Sequence, residues 1–333
     1  MRFSTIVSAA VMLAAPSRQA TGSVGNLTDA DILNFALTLE HLEAAFYSQG
    51  LAKYDEKAFA SAGFSNDTRQ KIQTISEDEN SHVAFLTSAL TATGVTPVQP
   101  CNYTFPHQDP KSFLALSQIL EGVGVSAYIG AAGSIQKPDY LTAAATILTV
   151  EARHNAYVRL VNGESPFPTA FDTPVEPRAI VTLATPFFSG CPNGSAPAFK
   201  AFPALNVTGK LTAGSSVNVA SANTTGATNC AFLSGLNITY SPFANGKCQV
   251  PTDGKVGGGQ VYVLLTDSQN VRDSSTIAGP AIVEMDTPGA TNMTRSYAST
   301  GASSSGSSVA PSVTIGSFAV LGSALAGLFA LLV

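Results

Sequence analysis

The chain has 333 residues, only 12% of them charged, and a formal net charge of −5. That length allows two domains, and so sparse and mildly acidic a charge offers nucleic-acid phosphates no basic face. Nucleic acid is therefore excluded as an expected partner.

Residues 1–20 read as a secretory signal peptide, with Arg2, an apolar run through Ile6, Val7 and Val11–Ala15, and then small residues. Four helical patterns follow between residues 28 and 163. The first runs from Thr28 to Gly50, with Thr28 or Asp29 as N-cap and Gly50 as stop. Ile32, Phe35, Ala36, Leu39, Leu42, Ala45 and Phe46 form its apolar face. The second begins at Ser65 or Asn66 and stops at Gly94; the third extends from Asp109–Pro110 to about Ile135. The fourth starts at Pro138, a favoured first-turn residue, and ends at Gly163.

Glu40, Glu79, Glu121 and Glu151 each fall near the middle of one of these helices, so they meet at one depth whichever way neighbours run. His82 follows Glu79 and His154 follows Glu151 at a spacing of three, which places each pair on one helix face. A carboxylate and an imidazole presented together from an apolar face suit a metal ion, and two copies suggest two ions. There is also an internal echo: Tyr47 stands seven residues after Glu40, and Tyr128 seven after Glu121. Tyr47, Tyr128 and Tyr157 read as core aromatics with satisfied hydroxyls, and His41 and His107 as surface residues. The third pattern carries Gly122, Gly124, Gly130 and Gly133, read as points of close helix packing. Between the second and third helices lies GVTPVQPCNYTFPHQD, whose fully extended reach of about 50 Å exceeds a helix of about 40 Å. It is a candidate end-to-end crossover.

LEHLEAAFY (39–47), EDENSHVAFL (77–86), ILEGVGVSAY (119–128) and TVEARHNAYVRL (149–160) resemble the ferritin-like superfamily. More narrowly, they look like its fungal secreted stress-response and desiccation-related branch. The resemblance covers residues 28–163 and implies a four-helix bundle with a di-iron or di-manganese carboxylate site. By position the implied ligands are Glu40, Glu79, His82, Glu121, Glu151 and His154, with Glu79 and either Glu121 or Glu151 bridging. Glu43, on the same stripe as Glu40, is the alternative to it.

Beyond the helices, residues 164–190 form a proline-rich linker and 191–295 a β-rich region, expected to be a small antiparallel, sandwich-like domain. SSVNVAS (215–221), LNITYS (236–241) and GQVYVLLTD (259–267) read as its strands. The fold class expected is thus α+β multidomain. Cys101, Cys191, Cys230 and Cys248 are expected to form two disulfides; proximity suggests Cys230–Cys248, leaving Cys101–Cys191. N-glycosylation acceptors stand at Asn26, Asn66, Asn102, Asn193, Asn206, Asn223, Asn237 and Asn292. Residues 296–314 read as a Ser/Thr/Gly-rich stalk, with lipid attachment between Gly301 and Ser308. Residues 315–333 form an apolar tail without a basic stop, the pattern of a glycolipid (GPI) anchor signal.

These features describe an extracellular, glycosylated protein anchored to the plasma membrane or cell wall. Its expected role is that of a di-metal oxidoreductase, a ferroxidase or a scavenger of peroxide, with O₂ or peroxide as small-molecule substrate. The competing expectation is a metal-free, glycosylated wall or adhesion scaffold. No G-x-S-x-G nucleophile motif supports a hydrolase.

Overall fold

The computed structural model describes residues 27–285. The expected leader, stalk, tail and the sequons at Asn26 and Asn292 lie outside the described residues. In chain order the elements are α1 (Asp29–Lys53), α2 (Glu56–Ser61), α3 (Asn66–Ala92), β1 (Asn102–Tyr103), α4 (Pro110–Ala132), α5 (Pro138–Val161) and α6 (Pro177–Ala184). A 3₁₀ turn, Thr185–Phe187, leads into β2 (Phe188–Gly190), β3 (Leu205–Thr208), β4 (Ser216–Ser221) and β5 (Asn229–Ser234). Then come β6 (Asn237–Ala244), β7 (Lys247–Gln249), β8 (Gly259–Thr266) and β9 (Thr276–Met285).

Local chemistry sets the helix starts. Thr28 and Asp31 form a reciprocal capping box on α1, Ser65 accepts from Thr68 N on α3, and Asp109 pairs with Ser112 on α4. Gly50 does not stop α1 as expected, because the helix runs on to Lys53. Its role is contact: a Cβ there would stand 2.1 Å from the Phe113 ring of α4.

The hydrogen bonds at the helix ends fix the topology. Arg69, at the start of α3, donates to the carbonyls of Leu51 and Tyr54 at the end of α1, so the two helices are antiparallel. The chain then returns along the full length of α1. Val98 N donates to Asn34 Oδ1 (2.9 Å), Phe105 packs on Phe46, and Lys53 Nζ donates to the His107 carbonyl (2.8 Å). This is the end-to-end crossover, and it lets α4 begin beside Gly50. At the far end Gln136 N donates to Asp29 Oδ1, and after the tight turn α5 returns until Asn162 reaches the Leu114 carbonyl of α4. His107 is a correction to the sequence reading. It is 5% exposed, its Nδ1 lies 2.9 Å from the Tyr54 hydroxyl, and it packs on Phe46 and Phe113.

Strands β3 to β9 form one antiparallel sheet in the order β3-β4-β7-β6-β5-β8-β9. It curls until its ends meet, where Gly279 N donates to the Pro203 carbonyl and Leu211 bridges Met285. The strand period of two then separates two cores. Val261, Val263, Leu265, Cys230 and Phe232 face inward, while Tyr262, Leu264, Ala231 and Leu233 pack into the same cluster as the bundle. Between β6 and β7 the Asn245-Gly246 turn has φ of 52° and 69°, the left-handed pair that a two-residue hairpin needs.

The proline-rich stretch is more structured than a linker. Pro177 opens α6, whose Ala179, Ile180, Val181 and Ala184 are buried. The disulfide Cys101–Cys191 staples the crossover beside the β1–β2 pair, and Cys230–Cys248 closes a loop inside the sheet. Arg159 of α5, 2% exposed, reaches Glu284 of β9 at 2.7 Å, so bundle and sheet share a partly buried ion pair as well as a core. Of the sequons described, Asn66, Asn102, Asn193, Asn223 and Asn237 are exposed, whereas Asn206 is half-buried in β3.

The α4 glycines divide by environment. A Cβ on Gly130 would sit 1.9 Å from the Val175 carbonyl oxygen, whereas one on Gly133 meets nothing within 4 Å. Gly130→Ala is therefore expected to destabilise by at least about 2 kcal/mol through overpacking against backbone. Gly133→Ala should be neutral or stabilising by up to about 1 kcal/mol. Urea denaturation of the two variants checks the contrast.

Candidate metal centre

The four central helices bring their mid-point acids to one depth, and all are buried. Glu40 (α1), Glu79 (α3), Glu121 (α4) and Glu151 (α5) are each 0% exposed, and His82 and His154 are 8% and 6% exposed. Their donor atoms converge in two groups. One consists of Glu40, Glu79, His82 and Glu151, the other of Glu79, Glu121, Glu151 and His154, and within each group one atom per residue lies within 4.8 Å of the rest. Glu79 and Glu151 belong to both. Of the two bridging arrangements left open by the sequence, the geometry is that with Glu79 and Glu151 shared.

The spacing is informative. His82 Nδ1 stands 3.2 Å from Glu40 Oε2, 3.1 Å from Glu79 Oε2 and 3.2 Å from Glu151 Oε1. His154 Nδ1 stands 3.0 Å from Glu79 Oε1 and 3.5 Å from Glu121 Oε2. One ring nitrogen carries at most one proton, so it cannot satisfy three carboxylates at once. Adjacent ligands around a cation at about 2.1 Å would stand about 3 Å apart in an octahedron, which matches. Glu79 Oε1, Glu121 Oε2, both Glu151 oxygens and His154 Nδ1 are also buried without a hydrogen-bond partner among the described residues. Such orphaned atoms need an explanation, and a cation between them supplies one. Four carboxylates and two neutral imidazoles also balance the charge of two divalent ions, so the donor set fits that pair.

Around the cluster, supporting groups hold the ligands. The tyrosine echo crosses over: Tyr47 of α1 donates to Glu121 of α4, and Tyr128 of α4 donates to Glu40 of α1. Ser117 lies 2.6 Å from the Tyr47 hydroxyl. Asp78 Oδ2, which the sequence reading missed, lies 3.1 Å from His154 Nε2. A carboxylate there keeps the proton on Nε2 and turns Nδ1 toward the cluster. Tyr157, by contrast, stands half-buried at the bundle surface near Thr68, away from the acids.

Glu43 is a fifth buried carboxyl, 4% exposed, but it belongs to neither ligand group. It flanks the cluster on the side of Gly124, where an added Cβ would lie 3.1 Å from an oxygen of both Glu43 and Glu151. A small cavity of about 60 Å³ opens beside it. Burial, then the neighbouring Glu151, Glu79, Glu121 and Glu40, push its carboxyl well above the usual range, so it holds a proton. Burial and Glu79 push Glu151 the same way. Glu79 is raised to about 7 by burial, against the opposing pull of His154 and His82. Burial disfavours charge on His82 and His154, yet the adjoining carboxylates outweigh it and push them up to about 12 and about 11.

Four helices present this doubled acid–imidazole set in one bundle, and residues 28–164 match the family of ferritin-like domains. The similarity to ferritin-like domains is confined to this helical region of the chain. It is also similar to Protein rds1 of Schizosaccharomyces pombe, 29% identical over 183 residues, which cover 54% of this chain and 44% of that protein. The match thus spans less than half of the relative's length.

Without cations, all these shifts act in one direction on stability. The folded chain keeps a proton on Glu79 between pH 4.5 and about 7, and on the two histidines from pH 6.5 to about 11 or 12, where the unfolded chain has lost it. Stability therefore falls as pH rises through those windows. Chelator-treated protein is expected to melt at least about 5 °C lower at pH 8 than at pH 5. Metal-loaded protein should show the opposite slope, because its ligands must be deprotonated. Calorimetry of both forms across that range provides the check.

Proposed function

We propose that this is a cell-surface ferritin-like protein that holds two iron or manganese ions and uses them to oxidise iron or to consume peroxide. The observation that carries the reading is the pair of buried ligand groups sharing Glu79 and Glu151. Glu40, Glu79, His82 and Glu151 would hold one ion, and Glu79, Glu121, Glu151 and His154 the other. Redox-active ions so bridged would supply one electron each for the reduction of O₂ or peroxide.

The chain's own groups supply the rest. Glu43, kept protonated beside Glu151, stores a proton at the edge of the cluster. Tyr47 and Tyr128 hold Glu121 and Glu40 in place, and Asp78 orients His154. The apolar walls of the bundle exclude bulk water from the acids. Two disulfides are compatible with an extracellular location. Lipid anchorage through the C-terminal segment and N-linked glycans at the exposed sequons complete the proposed surface protein.

Purified full-length chain grown with iron or manganese is expected to carry two ions by elemental analysis. Glu79→Ala should lose nearly all metal, and Glu40→Ala or Glu121→Ala about half. Asp78→Asn should retain both ions with affinity weakened about 10-fold or more. Removing metal from the wild type should lower its melting temperature and abolish peroxide consumption. A chain that stays metal-free in replete medium, and whose melting ignores chelator, would instead be the glycosylated scaffold.

A further inference from the structure

We propose that the bundle axis contains a binding site for a neutral, apolar organic molecule, in a cavity of about 290 Å³ that ends against the Glu40 side of the acid–imidazole cluster. All four central helices line it, in the half of the bundle nearest the N-terminus of α1. It exists because of side-chain size. Ala36, Ala89, Ala127, Ala131, Ala143 and Ala144 occupy wall positions where a closed bundle would place leucines.

The wall chemistry selects the occupant. Apart from the hydroxyls of Tyr128 and Tyr140 and the carboxylate of Asp139, the lining side chains are apolar. Water inside would lack the two to four polar partners it needs, and an apolar cavity of about 150 Å³ is already enough to bind benzene. Asp139 is the one acidic side chain on the lining and no Lys, Arg or His joins it, so an anionic headgroup finds no cationic partner on the wall itself. Lys137 lies over the Tyr140 ring, 5.0 Å from its centroid, but does not line the cavity. A helix about 10 Å across is too wide for this space, which disfavours a peptide helix or a second copy.

The two ends of the cavity differ. Outward, partly exposed Ala89, Ala143 and Ala144 lead to Phe85, which is 48% exposed, between α3 and α5. Inward, the wall includes Tyr128, whose hydroxyl donates to Glu40. A molecule that fills the cavity therefore ends one hydroxyl away from a carboxylate of the cluster. That the centre senses it rests on the function proposed above; that it binds does not.

The test uses full-length protein and the neutral fluorophore N-phenyl-1-naphthylamine. Saturable binding is expected, with displacement by 1-decanol and much weaker displacement by decanoate. Ala89→Leu combined with Ala143→Leu grows carbon into the cavity from partly exposed positions and should weaken the probe at least about 10-fold while leaving metal content unchanged. Ala36→Leu provides an independent filling variant. Saturating 1-decanol should change the Mn(II) resonance spectrum of the wild type and change it less in Tyr128→Phe.

Absence of saturable binding, or filled variants that bind like the wild type, would overturn the proposal. So would stronger displacement by decanoate than by decanol. Probe binding that appears only after residues 315–333 are removed would show the chain's own tail in the cavity, and would overturn it too. A chain that binds the probe but never loads metal upholds this site and defeats the function proposed above.

Discussion

The structure turns on the mutual repulsion of buried carboxylates. Five glutamates stand within the dry middle of one bundle, and among the described residues two imidazoles stand against them as potential cations. Taking so many acids out of water is costly, and each makes its neighbours harder to ionise. Protons relieve the strain in part, on Glu43 and Glu151 above all. Divalent cations would relieve the rest. The helices, the crossed tyrosines and the end-to-end crossover all serve to keep these groups at one depth.

Much of this was legible in the sequence, because helical spacing and mid-helix placement are local properties. Glu79 with His82 and Glu151 with His154 announce themselves at a spacing of three, and Thr28, Ser65 and Asp109 mark helix starts by their own capping chemistry. What sequence could not show were relations between helices. Asp78 neighbours Glu79 along the chain, but its partner, His154, comes from another helix. The repeated Glu–Tyr spacing was visible, yet nothing in it says that each tyrosine serves the other helix's glutamate. His107 looked like a surface residue because its partners, Tyr54 and Phe113, gather around it only when the crossover returns along α1.

The β region was harder for a similar reason. A sheet with one face in water alternates, but β5 and β8 are covered on both faces, inside by the sheet's own core and outside by the bundle. Their runs are therefore continuously apolar and carry no sign of which face is which. The proline-rich stretch misled in the opposite sense. Pro177 does not break structure; with its fixed φ it opens α6.

One contact links the two halves more closely than a shared core alone would. The Tyr262 hydroxyl of β8 lies 2.7 Å from Ser126 Oγ and 3.1 Å from the Gly122 carbonyl, on the turns of α4 that flank Glu121 and Gly124. Gln260 braces that hydroxyl in turn and lies where any side chain on Gly122 would have to go. The sheet is thus a rear support for one wall of the acid cluster. Sequence drift on the bundle-facing side of β8 would retune the centre from behind, without altering any of its acids or imidazoles.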